Sequence, residues 1–107
     1  MEVERLLREL YGSDDLAPFR ALVRPLVEHD RARGSDLVRT LEIYFAAGAN
    51  TSEAADRLFL HRNSMTYRLE RIGKLTGLDL REPGVALALQ LGLLSLQRGE
   101  THEDEHP

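Results

Sequence analysis

Hydrophobic positions along this chain recur at three- and four-residue steps, segment after segment, with glycines between the segments. That rhythm predicts helices. Val3, Leu6, Leu7 and Leu10 share one face of a first segment, which Gly12 ends. A second helical region runs through "SDDLAPFRALVRPLVEHDRARG", with Ser13 or Asp14 as N-cap, Pro18 in its first turns and Gly34 closing it. Pro25 is expected to kink or break that helix, because proline lacks an N–H and its ring clashes with the preceding turn. "SDLVRTLEIYFAAG" starts at the cap candidate Ser35, puts Leu37, Leu41, Tyr44 and Phe45 on one stripe, and stops at Gly48.

The next two segments are short and differ in character. "NTSEAADRLFL" has Thr51 or Ser52 as its N-cap and turns Ala54, Ala55 and Leu58 inward. In "HRNSMTYRLERIGK", residues 61–74, Met65, Leu69 and Ile72 form the apolar stripe. "TGLDLREPG" reads as loop, with Gly77 ending the helix before it and Pro83 opening the last helix behind Glu82, a weak cap. In that last segment Val85, Leu87, Leu89, Leu91 and Leu93 alternate at period two, as a strand would. Ala and Leu dominate and the run is long for a strand, so it is predicted helical. Only Gln90 and Ser95 interrupt its apolar surface, so the helix is expected to be buried on more than one side, with some of that surface meeting a second copy or an upstream domain. The predicted fold class is all-α: a small helical bundle containing a helix-turn-helix, with no sheet.

Two short helices joined by about three residues, the first rich in Ala and the second polar and basic, describe a helix-turn-helix. Ala54 and Ala55 are small where two helices cross closely, and Leu58, Leu60, Met65 and Leu69 fill the angle between them. With those positions inside, helical periodicity sends Arg62, Asn63, Thr66, Tyr67 and Glu70 outward. A recognition helix of about residues 62–74 would enter a DNA major groove with its N-terminal half. Arg62, Asn63, Thr66 and Tyr67 are the candidate base readers: Arg forks onto guanine, Asn onto adenine, and Thr meets a thymine methyl. Thr51, Ser52 and Ser64 fit phosphate oxygens near helix starts, and Arg68, Arg71 and Lys74 lie further along, where the backbone runs. A solvated face would explain the charge alone, but not the Ala pair, the turn and the polar cluster together. His61 suits helix capping at least as well as base contact, Tyr67 could be a partly buried aromatic, and Glu70 could pair with a nearby Arg. Phe59 stands where such turns usually carry Gly. If the turn needs a positive φ there, a non-glycine residue costs roughly 1 kcal/mol or more, so either packing offsets it or the turn differs.

Composition changes this picture little until charge is divided along the chain. The 107 residues carry a net charge of −4, which disfavours nucleic acid at first sight. Residues 1–34 hold six basic and seven acidic groups, residues 35–99 eight and seven, and the tail "ETHEDEHP" none and four. The acidity thus belongs to the tail, while residues 61–74 carry +3 locally. There is no cysteine, hence no disulfide and no thiolate metal site. The start "MEVERLLREL" is no secretory signal. The longest apolar run falls far short of the roughly 20 residues a membrane span needs, so a soluble, cytoplasmic protein is expected. "HEDEH" satisfies H-E-x-x-H on paper. It sits in an acidic tail expected to be disordered, without a third ligand, so no metal site is assigned. No catalytic residue set is evident, no enzyme activity is expected and no cofactor is implied.

The joined motifs resemble the C-terminal DNA-binding domain of PucR/CdaR-type bacterial transcriptional regulators. The resemblance is carried by Thr40, Leu41, Tyr44, Gly48, Asn50 and Ala55, by "HRNS" at residues 61–64, and by Tyr67 to Leu69 and Ile72. It continues through "TGLDL" at residues 76–80 and covers about residues 35–97. The helix-turn-helix core is also similar to Fis-type proteins. Two positions depart from the pattern: Ser64 where Thr is common, and Glu82 where Asp usually caps. The resemblance implies residues 1–34 as the end of an upstream region and 35–98 as the DNA-binding domain, and the acidic composition adds 99–107 as a disordered tail. The resemblance further implies double-stranded DNA as partner and an effector bound by a sensor domain outside this chain. A homodimer would form through the C-terminal helix or through the upstream domains. The alternative reading is a protein-interaction module that uses the apolar helix over residues 84–97.

Overall fold

The computed structural model describes residues 16–105, with side chains described as far as Gln97. Among the described residues there are five helices and no strand: α1 (Ala17–Arg33), α2 (Leu37–Ala46), α3 (Thr51–Arg57), α4 (Arg62–Thr76) and α5 (Pro83–Glu105). The all-α class and the helical reading of the last segment hold. The segment at residues 3–10 and the caps proposed at Ser13 and Asp14 lie outside the described residues.

Pro25 does not break its helix: α1 runs from Ala17 to Arg33 around it, with Pro18 in the first turn. Gly34 ends it in the left-handed conformation at φ 65, its N–H returning to the Asp30 carbonyl. Val23 and Leu26, both fully buried, anchor α1 in the common core with Leu41, Met65, Ile72 and Leu89. Its main partner is α5. A Cβ at Gly92 of α5 would stand 2.5 Å from the Phe19 carbonyl oxygen, so only glycine lets the two backbones approach this closely. Arg20 Nε adds a 2.6 Å hydrogen bond to Ser95 Oγ, which is 3% exposed. The apolar surface of α5 is therefore covered largely within the chain, by α1 on one side and α2 on the other. Among the described side chains of α5, Leu87 is the large apolar one left exposed, at 58%. The helix continues to Glu105, into the tail that the sequence leads one to expect disordered.

Capping departs from the sequence expectation twice. The N-cap of α3 is Asn50, whose Oδ1 accepts the Glu53 N–H at 2.9 Å, rather than Thr51 or Ser52. Asn caps at least as well as Ser and better than Thr, and it precedes both. Ser35 does not cap α2. The two oxygens of Asp30, at the end of α1, accept the Leu37 and Val38 N–H groups at 2.8 and 3.0 Å. Ser35 Oγ donates to Asp30 Oδ1, and His29 Nδ1 hydrogen-bonds Ser35 Oγ at 2.8 Å. This Ser–His–Asp trio is a cap rather than a nucleophile. The carboxylate that accepts the hydroxyl proton is held by the Leu37 and Val38 N–H groups at the start of α2.

The turn between α3 and α4 explains Phe59. Leu60 N–H bonds the Ala55 carbonyl at 2.9 Å and Phe59 N–H bonds the Asp56 carbonyl at 3.2 Å. That is a Schellman ending, which requires a left-handed residue at Phe59. The same pattern ends α2, where Ala49 and Gly48 N–H groups reach the Tyr44 and Phe45 carbonyls. There glycine takes the position, at φ 69; after α3 it is Phe59, at φ 57. The offset by packing does not occur, because Phe59 is 95% exposed.

Candidate nucleic-acid interface

Helix α4 is held by its apolar stripe. Met65 and Ile72 are fully buried and Leu69 is half-buried, packed with Ala54 and Ala55 of α3. The small side chains let α3 and α4 cross closely, and Leu58 and Leu60 close the angle from the turn. Once that stripe is fixed, Arg62, Asn63, Thr66, Tyr67 and Glu70 face outward, each exposed. His61 is the N-cap of α4: its Nδ1 accepts the Asn63 N–H at 3.0 Å, which requires that nitrogen to be unprotonated.

The outward residues divide between two open grooves. Asn63, Ser64, Tyr67, Arg68 and Arg71 line one, whose opposite wall is the α1–α2 joint at His29 and residues 34–37. Thr66 and Glu70 line the other, together with Thr51 and the loop at residues 78–81. Arg62, Ser52 and Lys74 border neither groove and stand exposed.

The cations of α4 are not equivalent. Arg71 Nη2 donates to Tyr67 Oη at 2.6 Å, and its guanidinium carbon lies 5.5 Å from the ring centroid, so the two side chains form one stacked unit. Arg68 is half-buried and turns toward α2, where its Nη1 donates to Thr40 Oγ1 at 3.0 Å. Among the described residues, no carboxylate lies within ion-pair distance of Arg62, Arg68, Arg71 or Lys74, and Glu70 pairs with none of them. By contrast, Arg81 on the rim of the second groove is matched by Asp79, with contacts of 3.1 Å to both carboxylate oxygens. The hydrogen bonds from the Arg81 side chain and backbone hold the Asp79 carboxyl below its ordinary range. Helix α4 therefore presents positive charge that the described residues leave unneutralised.

Sequence periodicity could not have found Thr40 or Asp30. Each acts through a side chain reaching another element, 28 residues away for the Arg68–Thr40 bond. Among the described residues, no cluster of His, Asp and Glu could hold a metal ion. The side chains of "HEDEH" lie outside the described residues. No described helix is long and apolar enough to cross a membrane.

Comparison with known proteins agrees with this geometry. The profile of the family described as the PucR C-terminal helix-turn-helix domain matches residues 37–95, from the start of α2 into α5. The chain is 32% identical over 88 residues to the proline-responsive transcriptional activator PutR of Bacillus subtilis, covering 82% of this chain and 20% of that protein. It is 35% identical over 92 residues to the purine catabolism regulatory protein of the same organism, covering 86% and 17%. With the carbohydrate diacid regulator of Escherichia coli it shares 42% identity over 60 residues, covering 55% and 16%. The chain thus spans about a fifth or less of the length of these relatives. No solved structure matches it. A basic, outward-facing second helix crossed over an alanine-rich first one, matched along most of its length by this profile, has one reading: the chain belongs to the family of PucR C-terminal helix-turn-helix domains, the DNA-binding domains of transcriptional regulators.

Proposed function

We propose that this chain binds double-stranded DNA sequence-specifically, with α4 lying in the major groove. Arg62, Asn63, Thr66 and Tyr67 face the base edges, and Thr51, Ser52, Ser64, Arg68, Arg71 and Lys74 meet phosphates. The observation that carries the reading is the division of labour on α4. Its apolar stripe is consumed by the core, while four cations on the rest of the helix have no carboxylate partner among the described residues. Such a surface is stable next to a polyanion and serves no packing purpose on its own. In the whole protein, regulation would come from an effector-sensing region outside this chain, in a cytoplasmic homodimer whose two copies read two half-sites.

Selection of bound sequences from a random DNA pool, followed by salt titration on the winner, tests the reading. Arg62→Ala should cost roughly 1–3 kcal/mol and relax preference at one base position. Lys74→Ala should weaken all sequences alike and reduce the salt slope by about one. Equal affinity for the selected sequence and random DNA at physiological salt would eliminate base readout.

A further inference from the structure

Arg68 is the cation of α4 whose guanidinium is tied to another helix, and the tie is built from a buried group. Thr40 is 0% exposed, on the inner face of α2. Its hydroxyl donates to the Asp36 carbonyl at 2.6 Å, so its proton is committed and only its lone pairs face Arg68. Arg68 Nη1 donates to it at 3.0 Å. Guanidinium carries five N–H donors, and this bond occupies one of them. Arg68 also lines the groove between α4 and the α1–α2 joint, beside Tyr67 and Arg71. The exposed Asp36 lines the same groove, which places an incoming anion at the Arg68–Arg71 end rather than the joint.

We propose that Thr40 is a positioning residue for DNA binding: its buried hydroxyl holds the Arg68 guanidinium in place for a phosphate of the strand passing along this groove. The inference rests on the reading of α4 as the DNA-contacting helix. A long side chain free in solvent must be ordered when it meets a phosphate, whereas one already held loses little rotamer freedom. Thr40 supplies that order before binding, from a position no DNA atom reaches.

Fluorescence anisotropy of the chain on its selected DNA, repeated across a salt series, tests this. Thr40→Val keeps the side-chain shape and deletes the acceptor. It should weaken binding roughly three- to tenfold at fixed salt with the salt slope unchanged, since the phosphate contact persists without its pre-ordering. Thr40→Ser, which keeps the hydroxyl, should stay within about twofold of wild type. Arg68→Ala should weaken binding and also lower the slope by about 0.9. The double variant should bind no more weakly than Arg68→Ala alone. Should Thr40→Val fail to fold by circular dichroism, Arg68→Lys serves instead. It keeps the charge but loses the fork that reaches hydroxyl and phosphate together, and should bind several-fold more weakly at unchanged slope. Wild-type affinity in Thr40→Val (or, in its place, Arg68→Lys), or additive penalties in the double variant, would overturn the proposal while leaving DNA binding intact. A wild-type chain without sequence preference or salt-dependent binding removes the reading of α4, and this inference with it.

Discussion

Replacing Phe59 by glycine should stabilise this protein, although it deletes an entire aromatic side chain. The ring is 95% exposed, so its removal forfeits almost no burial. The backbone at φ 57 is what the Schellman ending of α3 demands, and a side chain there costs roughly 1–2 kcal/mol. Glycine removes that strain but widens the unfolded ensemble, which returns about 0.4–1 kcal/mol. The net expectation is a gain of about 0.5–1 kcal/mol, worth about 2–8 °C in Tm for a domain of this size. Urea unfolding followed by helical circular dichroism measures it, with Phe59→Ala as the control. Alanine keeps the left-handed strain and removes the ring, so it should lie within about 0.5 kcal/mol of wild type. A Phe59→Gly variant less stable than wild type would refute the strain argument. So would a loss above about 1 kcal/mol in Phe59→Ala, because the ring would then be packing on something.

Four further outcomes follow from other contacts of the fold. Gly92→Ala drives a methyl to 2.5 Å from the Phe19 carbonyl and should cost about 1–3 kcal/mol by thermal melting. Gly84→Ala, in open space at the start of the same helix, should be neutral or slightly stabilising. Asp30→Ala strips two N–H groups of α2 of their acceptor and should cost about 1–2 kcal/mol in chemical denaturation. Arg81→Ala should let the Asp79 carboxyl pKa rise, read by NMR titration of its carboxyl carbon. The depressed pKa means that the pair favours the folded state above the ordinary carboxylate range. That contribution is lost as pH falls through the lowered value.

The helix-turn-helix was legible because its rules are local. Spacing alone put Met65, Leu69 and Ile72 inside and Arg62, Asn63, Thr66 and Tyr67 outside, and glycines at positions 34, 48 and 77 marked helix endings. The charge map also belonged to the sequence, since dividing −4 along the chain isolates a +3 segment. What escaped it were interactions whose two halves are far apart in the chain. The way α5 is covered also escaped it, since α1 packs on it through a glycine whose purpose shows only when Phe19 lies against it. Ser35 had the right chemistry and place for a cap, yet Asp30 reaches over from the end of α1 and takes both N–H groups. Arg68 read only as a candidate phosphate contact, and its tie to Thr40, 28 residues earlier, shows only in the fold. Periodicity fixes which way a side chain points from its own helix. Only the packing of helices decides what it meets there, because a partner contributed by another element leaves no trace in local spacing.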